Sequence, residues 1–236
     1  MQEQSSDYIF KAYIVNTAAY DSGERENAGT WLHFPPSAGD IAAAFEEIGL
    51  PLSATPDLYF FDDYVTTIQG LKVVLPMYEH VDELAALAQD LSGLPPHERD
   101  KLEAVQASPL RLTDYAQFRE YPHNFDYFCL IPGVGSDKEL GNFHLYRCGM
   151  VEMPEGWKAG VEQEAFGRRI REQDNGFFTE KGYVLLSGDE WEREKPLPKQ
   201  GREQKPSVKD FLKQAKKECA ARDTGPGKPA SHGQER

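Results

Sequence analysis

The chain has 236 residues, of which 39% are hydrophobic and 11% aromatic, with 39 Asp and Glu against 26 Lys and Arg for a formal net charge of −13. That apolar content is ample for packed cores and excludes disorder of the whole chain; the length admits one large domain or two to three small ones. The longest apolar stretches, such as residues 71–77, are interrupted by a Lys or a Pro and fall far short of the roughly 20 residues a bilayer span needs. Residues 1–7 do not resemble a signal peptide, so the expectation is a cytoplasmic protein without a membrane anchor.

Along the chain, residues 8–18 alternate and read as a strand, residues 21–29 as a polar loop and residues 29–34 as a second strand. Pro35 and Pro36 break the pair. Ile41, Ala44, Phe45 and Ile48 then make one apolar helical face with Glu46 and Glu47 turned outward, and Gly49 ends the helix. Residues 58–62 read as a short aromatic strand. From Gly70 the periodicity becomes helical: Val81, Leu84, Ala85, Ala88 and Leu91 define one helix, Pro95 and Pro96 open a second with Leu102 and Val105 inside, and residues 113–118 suggest a third. A strand is expected over residues 125–131. Ser136 and Glu139 have the spacing of a capping box for a helix over residues 137–147. Val161, Ala165, Phe166 and Ile170 set a later helix, and residues 177–186 read as a strand or hairpin around Gly182. The fold class expected is α+β, as an elongated line of three small domains: an α/β domain over 8–67, a helical domain over 68–123 and an α+β domain over 124–190. A mostly disordered tail, 191–236, follows.

The charge is unevenly placed. Residues 193–236 hold 12 of the basic and 6 of the acidic residues, a net of +6, which leaves 14 basic and 33 acidic residues in 1–192, a net of −19. Such a body repels nucleic acid and is drawn to cationic clefts, so direct DNA binding by it is not expected. In the tail, Ser207 after Pro206 is positioned to cap a helix carrying Val208, Phe211, Leu212 and Ala215.

Catalytic signatures are weak. Three cysteines, Cys129, Cys148 and Cys219, form no C-x-x-C pair and read as reduced thiols, Cys129 and Cys148 as buried small hydrophobes. A zinc site joining them to His123 or His144 has no standard ligand spacing. Gly133-Val134-Gly135 before a helix lacks the third Gly of a dinucleotide loop and the Gly-Lys-Ser/Thr of a P-loop, and reads as a turn. Neither His123 nor His144 has a nucleophile in sequence. Asp57, Asp62 and Asp63 match no Ca²⁺ loop and read as a strand end.

The order of motifs resembles the ArdA antirestriction family of plasmids and conjugative transposons. The resemblance spans residues 10–186 and rests on Ala12-Tyr13-Ile14-Val15-Asn16, Tyr20, Gly23, Gly29, Trp31, Leu32, Phe60 and Asp62 to Tyr64, then on residues 125–133 with Asp137, Glu139, Leu140 and Gly141, which is similar to the family's antirestriction motif. Pro154, Glu155, Glu164-Ala165-Phe166-Gly167-Arg168, Arg171 and residues 176–184 complete it. Arg169 stands where relatives usually have an acidic residue and Asn142 where many have Arg. The resemblance implies a non-enzymatic DNA mimic, without catalytic residue, metal or cofactor, that protects a mobile element by occupying the DNA groove of the methyltransferase core of type I restriction-modification enzymes; it also implies a homodimer contacting through its third domain. The exposed carboxylates expected to carry such binding are Glu46, Glu47, Asp62, Asp63, Glu79, Asp82, Glu83, Asp90, Glu98, Asp100 and Glu103. A scaffold of a mobile element, docking through the tail helix, is the alternative.

Overall fold

The computed structural model of the chain describes residues 8–23, 28–149 and 152–193, and every element described lies in one unit, Met1–Arg193. The tail helix expected near Val208 lies outside the described residues, as do Cys219 and residues 194–236.

β1 (Phe10–Asn16) is the central strand of an antiparallel sheet in the order β2-β1-β3, with β2 at Gly29–Phe34 and β3 at Tyr59–Thr66. Alternation sends Phe10, Ala12 and Ile14 to the core, and a bulge between Tyr13 and Ile14 shifts the β1–β3 register. The strand does not run on to residue 18. Asn16 accepts from the amides of Ala18 and Ala19 at 3.0 and 3.3 Å, which starts a short helix, α1 (Thr17–Ser22), where a strand end and loop were expected. α2 (Ala38–Glu47) opens on a capping box that the sequence reading passed over: Ser37 accepts from the Asp40 amide at 3.2 Å while Asp40 accepts from the Ser37 amide at 2.8 Å. These bonds hold the Asp40 carboxyl below its usual range. Ala44, Phe45 and Ile48 are buried, Glu46 and Glu47 are exposed, and Gly49 closes the helix at φ 72°.

The helical stretch follows as α3 (Leu71–Val74), α4 (Val81–Ser92), α5 (Pro96–Gln106) and α6 (Tyr115–Glu120). α6 starts later than expected because Asp114 and Gln117 form its reciprocal cap. Two 3-10 turns follow, Tyr121–His123 and Phe125–Tyr127; the second occupies the first half of the expected strand, and β4 begins only at Phe128 (Phe128–Pro132). α7 (Asp137–Tyr146), α8 (Glu155–Lys158), α9 (Gln163–Asp174), β5 (Phe177–Thr179) and β6 (Gly182–Leu186) complete the unit, the strands forming an antiparallel sheet in the order β4-β6-β5.

The fold is mixed α+β with two small antiparallel sheets. Its largest buried cluster runs from Phe10, Ile14 and Phe34 through Leu84, Leu102 and Phe118 to Phe128 and Val184. Residues from all three expected segments therefore share one apolar core, each buried Leu or Phe contributing about 1.5–3 kcal/mol. The end of the unit is fastened to it by Asn124, which donates to Glu192 O at 2.9 Å and accepts from the Glu192 amide at 2.7 Å. Trp191 donates from its indole to the buried Glu120 carboxylate. Among the described residues no helix is long and apolar enough to cross a membrane.

Candidate partner-binding surface

Residues 29–96 carry ten carboxylates and one basic side chain, Lys72. Helix geometry explains where many of them point. On α2 the apolar stripe faces the sheet, so Glu46 and Glu47 face solvent, and Glu47 accepts from the Thr30 hydroxyl at 3.0 Å. Asp82 and Glu83 occupy the first turn of α4, where carboxylates complement the helix dipole. The Tyr59 hydroxyl accepts from the Val81 amide at 3.2 Å and caps that same end from the core.

The eleven carboxylates expected on the surface sort into three groups. Glu46, Glu47, Asp62, Glu79, Asp82 and Asp90 have no cationic partner among the described residues. Four others are exposed or partly exposed and paired: Asp63 with Lys72 at 2.7 Å, Glu83 with Arg119, and Asp100 and Glu103 with Lys181 at 2.6 and 2.8 Å. The double bridge pushes the Lys181 pKa up. Glu98 is a correction. It is only 7% exposed and pairs with Lys101 at 2.9 Å, and Lys101 donates onward to Phe125 O at 3.0 Å. Its place on the inner side of α5 follows from Leu102 one turn later, so its charge serves the core and not the surface.

The segment similar to the antirestriction motif is mostly internal. Asp137 takes a two-pronged contact from Arg171 of α9, at 2.7 and 3.2 Å, which depresses its carboxyl pKa. Leu140 is fully buried with Val134 and Tyr183. Gly141 lies against the α9 backbone: a Cβ there would come within 2.9 Å of Gln163 C and would overlap its oxygen, and one on Gly167 would overlap Asp137 O. The two glycines thus set the α7–α9 crossing. Glu139 departs from the expected box: Ser136 does accept from the Glu139 amide, at 3.3 Å, but the Glu139 carboxylate accepts from the Gly135 amide at 2.8 Å. That bond fills the Gly133–Gly135 turn with a carboxylate from the protein itself, so the turn is not an anion cradle.

Catalytic readings gain little. His123 is exposed. His144, whose pKa burial lowers, lies 3.5 Å from Cys148 Sγ, but that thiol donates to the His144 main-chain oxygen at 3.3 Å, a local helix-end contact one turn away. Cys129 is exposed, contrary to the expectation of a buried thiol: it sits at an outward position of β4, between Phe128 on the core side and the half-buried Leu130. No group of three or more His, Cys, Asp or Glu suited to a metal ion occurs among the described residues. Asp62 and Asp63, read from the sequence as a strand end, lie inside β3, which extends further than expected.

What sequence reasoning missed is pairing over long separations: no local signal announces that Lys181 neutralises Asp100 and Glu103. A search of curated proteins gives no match. A family model described as "Antirestriction protein (ArdA)" matches residues 12–185. That is most of the chain, which therefore belongs to the ArdA antirestriction family.

Proposed function

From membership in an antirestriction family, we propose that the protein is a non-catalytic DNA mimic which occupies the DNA-binding groove of type I restriction-modification enzymes, at their methyltransferase core. The observation that carries this reading is the set of six carboxylates between Glu46 and Asp90 with no cationic partner among the described residues. Unpaired carboxylates are what a cleft lined with Lys and Arg would meet in place of phosphates, and duplex DNA presents about one charge per 1.7 Å of its axis. The attraction needs neither metal nor cofactor. It strengthens association and steers it, and it weakens with salt.

In this reading the segments 8–67, 68–123 and 124–190 are successive stretches of the presented surface around their shared core, and the protein acts in the cytoplasm as a homodimer in the service of a mobile element. The motif-like residues Asp137, Leu140 and Gly141 act by holding α7 to α9, while Glu139 fastens the preceding turn. A competition assay tests the proposal. Purified protein should displace DNA from a type I methyltransferase core at low salt, and removing residues 193–236, the basic segment, should leave that displacement intact. DNA binding unchanged at excess inhibitor would contradict the proposal, and loss of inhibition on truncation would favour docking through the tail.

A further inference from the structure

β2 is an edge strand, with β1 on one side and no strand on the other among the described residues. Its register with β1 fixes which main-chain groups remain unused. The bond from the Asn16 amide to Ala28 O, at 2.7 Å, sets the phase; in an antiparallel ladder such pairs recur at every second residue. Thr30, Leu32 and Phe34 therefore bond to β1, while the N–H and C=O groups of Trp31 and His33 point off the free edge.

Beside that edge runs a groove of 370 Å³ between β2 and α2. Its two sides differ in chemistry. On one side stand Trp31, 40% exposed, and His33, stacked on Tyr8 at a ring separation of 4.6 Å. On the other stand Ala43 and the carboxylates of Asp40 and Glu47, neither with a cationic partner among the described residues. Unpaired strand edges accept added strands, and strand addition draws affinity from main-chain bonds and specificity from alternate side chains.

We propose that this groove binds an extended segment of a partner protein by strand addition to β2, the segment alternating basic side chains, which meet Asp40 and Glu47, with apolar ones, which pack on Trp31 and His33. A second copy of the chain fits less well, because antiparallel β2–β2 pairing would bring two α2 helices together, each with Asp40, Glu46 and Glu47. The site shares Glu47 with the proposed decoy surface, but its main-chain pairing with Trp31 and His33 belongs to this proposal alone, so His33→Pro tests it separately from that reading.

The test uses the full-length protein and a fluorescent heptapeptide, acetyl-Val-Arg-Val-Arg-Val-Arg-Val-amide, with two controls: the same sequence carrying N-methyl groups on alternate amides, and the same sequence with Glu for Arg. The expected result is saturable binding, with the Trp31 and His33 amide resonances shifted and affinity reduced at least about tenfold by either control. Glu47→Lys should weaken binding similarly. His33→Pro should do the same, since it removes an off-edge N–H while sparing the β1 ladder. Equal binding of the N-methylated peptide, absence of binding at millimolar peptide, or self-association abolished by His33→Pro would each overturn the proposal, the last in favour of a second copy.

Discussion

Residues 29–96 and residues 137–181 hold similar numbers of carboxylates, ten and nine, but the first stretch has one basic side chain and the second has seven. In the second stretch four of the nine carboxylates are paired within the stretch: Asp137 with Arg171, Glu155 with Lys158, Glu164 with Arg168 and Glu172 with Arg169. Lys181 reaches out of the stretch to neutralise Asp100 and Glu103. In the first stretch Asp63 and Glu83 are paired with described cations and Asp40 serves as a helix cap, while Glu46, Glu47, Asp62, Glu79, Asp82 and Asp90 have no cationic partner among the described residues. The same composition of acids therefore does two jobs. In one stretch most carboxylates are structural groups with a cation or a main-chain amide as partner, and in the other most have no cationic partner among the described residues and form a field directed at whatever approaches.

The contrast predicts where substitution is tolerated. Gly141→Ala or Gly167→Ala forces a Cβ into the facing backbone and should cost about 3 kcal/mol in urea unfolding. Gly39→Ala in α2, where the added Cβ would meet only Ser37 Oγ at 3.6 Å, should instead stabilise by about 0.5–1 kcal/mol. Equal costs at these sites would break the distinction between a packed helix pair and an open acidic helix.

Changes of charge should divide in the reverse direction. Converting Glu46, Glu47, Asp62, Asp82 and Asp90 together to their amides should weaken inhibition of a restriction enzyme by about tenfold or more at low salt, while a single Glu46→Gln should change it less than about twofold, because exposed charges contribute little singly. Stability should scarcely change.

Protonation separates the regions again. The Asp137 carboxyl is depressed by Arg171, so the folded state binds fewer protons than the unfolded chain just below the ordinary value of 3.8. Its contribution is complete above that pH and is lost as pH falls through the depressed value. Asp137→Asn should cost about 1 kcal/mol at neutral pH and remove that part of the acid dependence. His144, lowered by burial from 6.5, disfavours its charged form in the fold. Stability should fall slightly as pH drops below 6.5, and His144→Gln should flatten that slope in a pH series of unfolding curves.

Local signals carried much of the fold. The apolar stripes of α2 and α4, the Pro96 start of α5 and the glycine stop at Gly49 are short-range features, and each places its element. The misses came from competition between local and tertiary partners. Asn16 ended β1 early by capping α1, Glu139 bonded Gly135 in place of Ser136, and Glu98 turned inward toward Lys101, whose ammonium is itself anchored on the Phe125 carbonyl. Exposure of Glu46, Glu47, Asp82 and Asp90 was readable from helical phase. The neutralisation of Asp100 and Glu103 was not, since Lys181 is 81 and 78 positions away in the chain.

The most direct test of the decoy account is the salt dependence of binding to a type I methyltransferase core, measured for the protein and for two neutralised variants. Replacing Glu46, Glu47, Asp62, Glu79, Asp82 and Asp90 by amides should flatten the plot of log affinity against log salt markedly, by analogy with about 0.9 in slope per phosphate contact in DNA. Replacing Glu139, Glu152, Glu172 and Glu180 should change the slope by less than about one. Equal flattening by both sets, or a wild-type affinity indifferent to salt, would contradict the account.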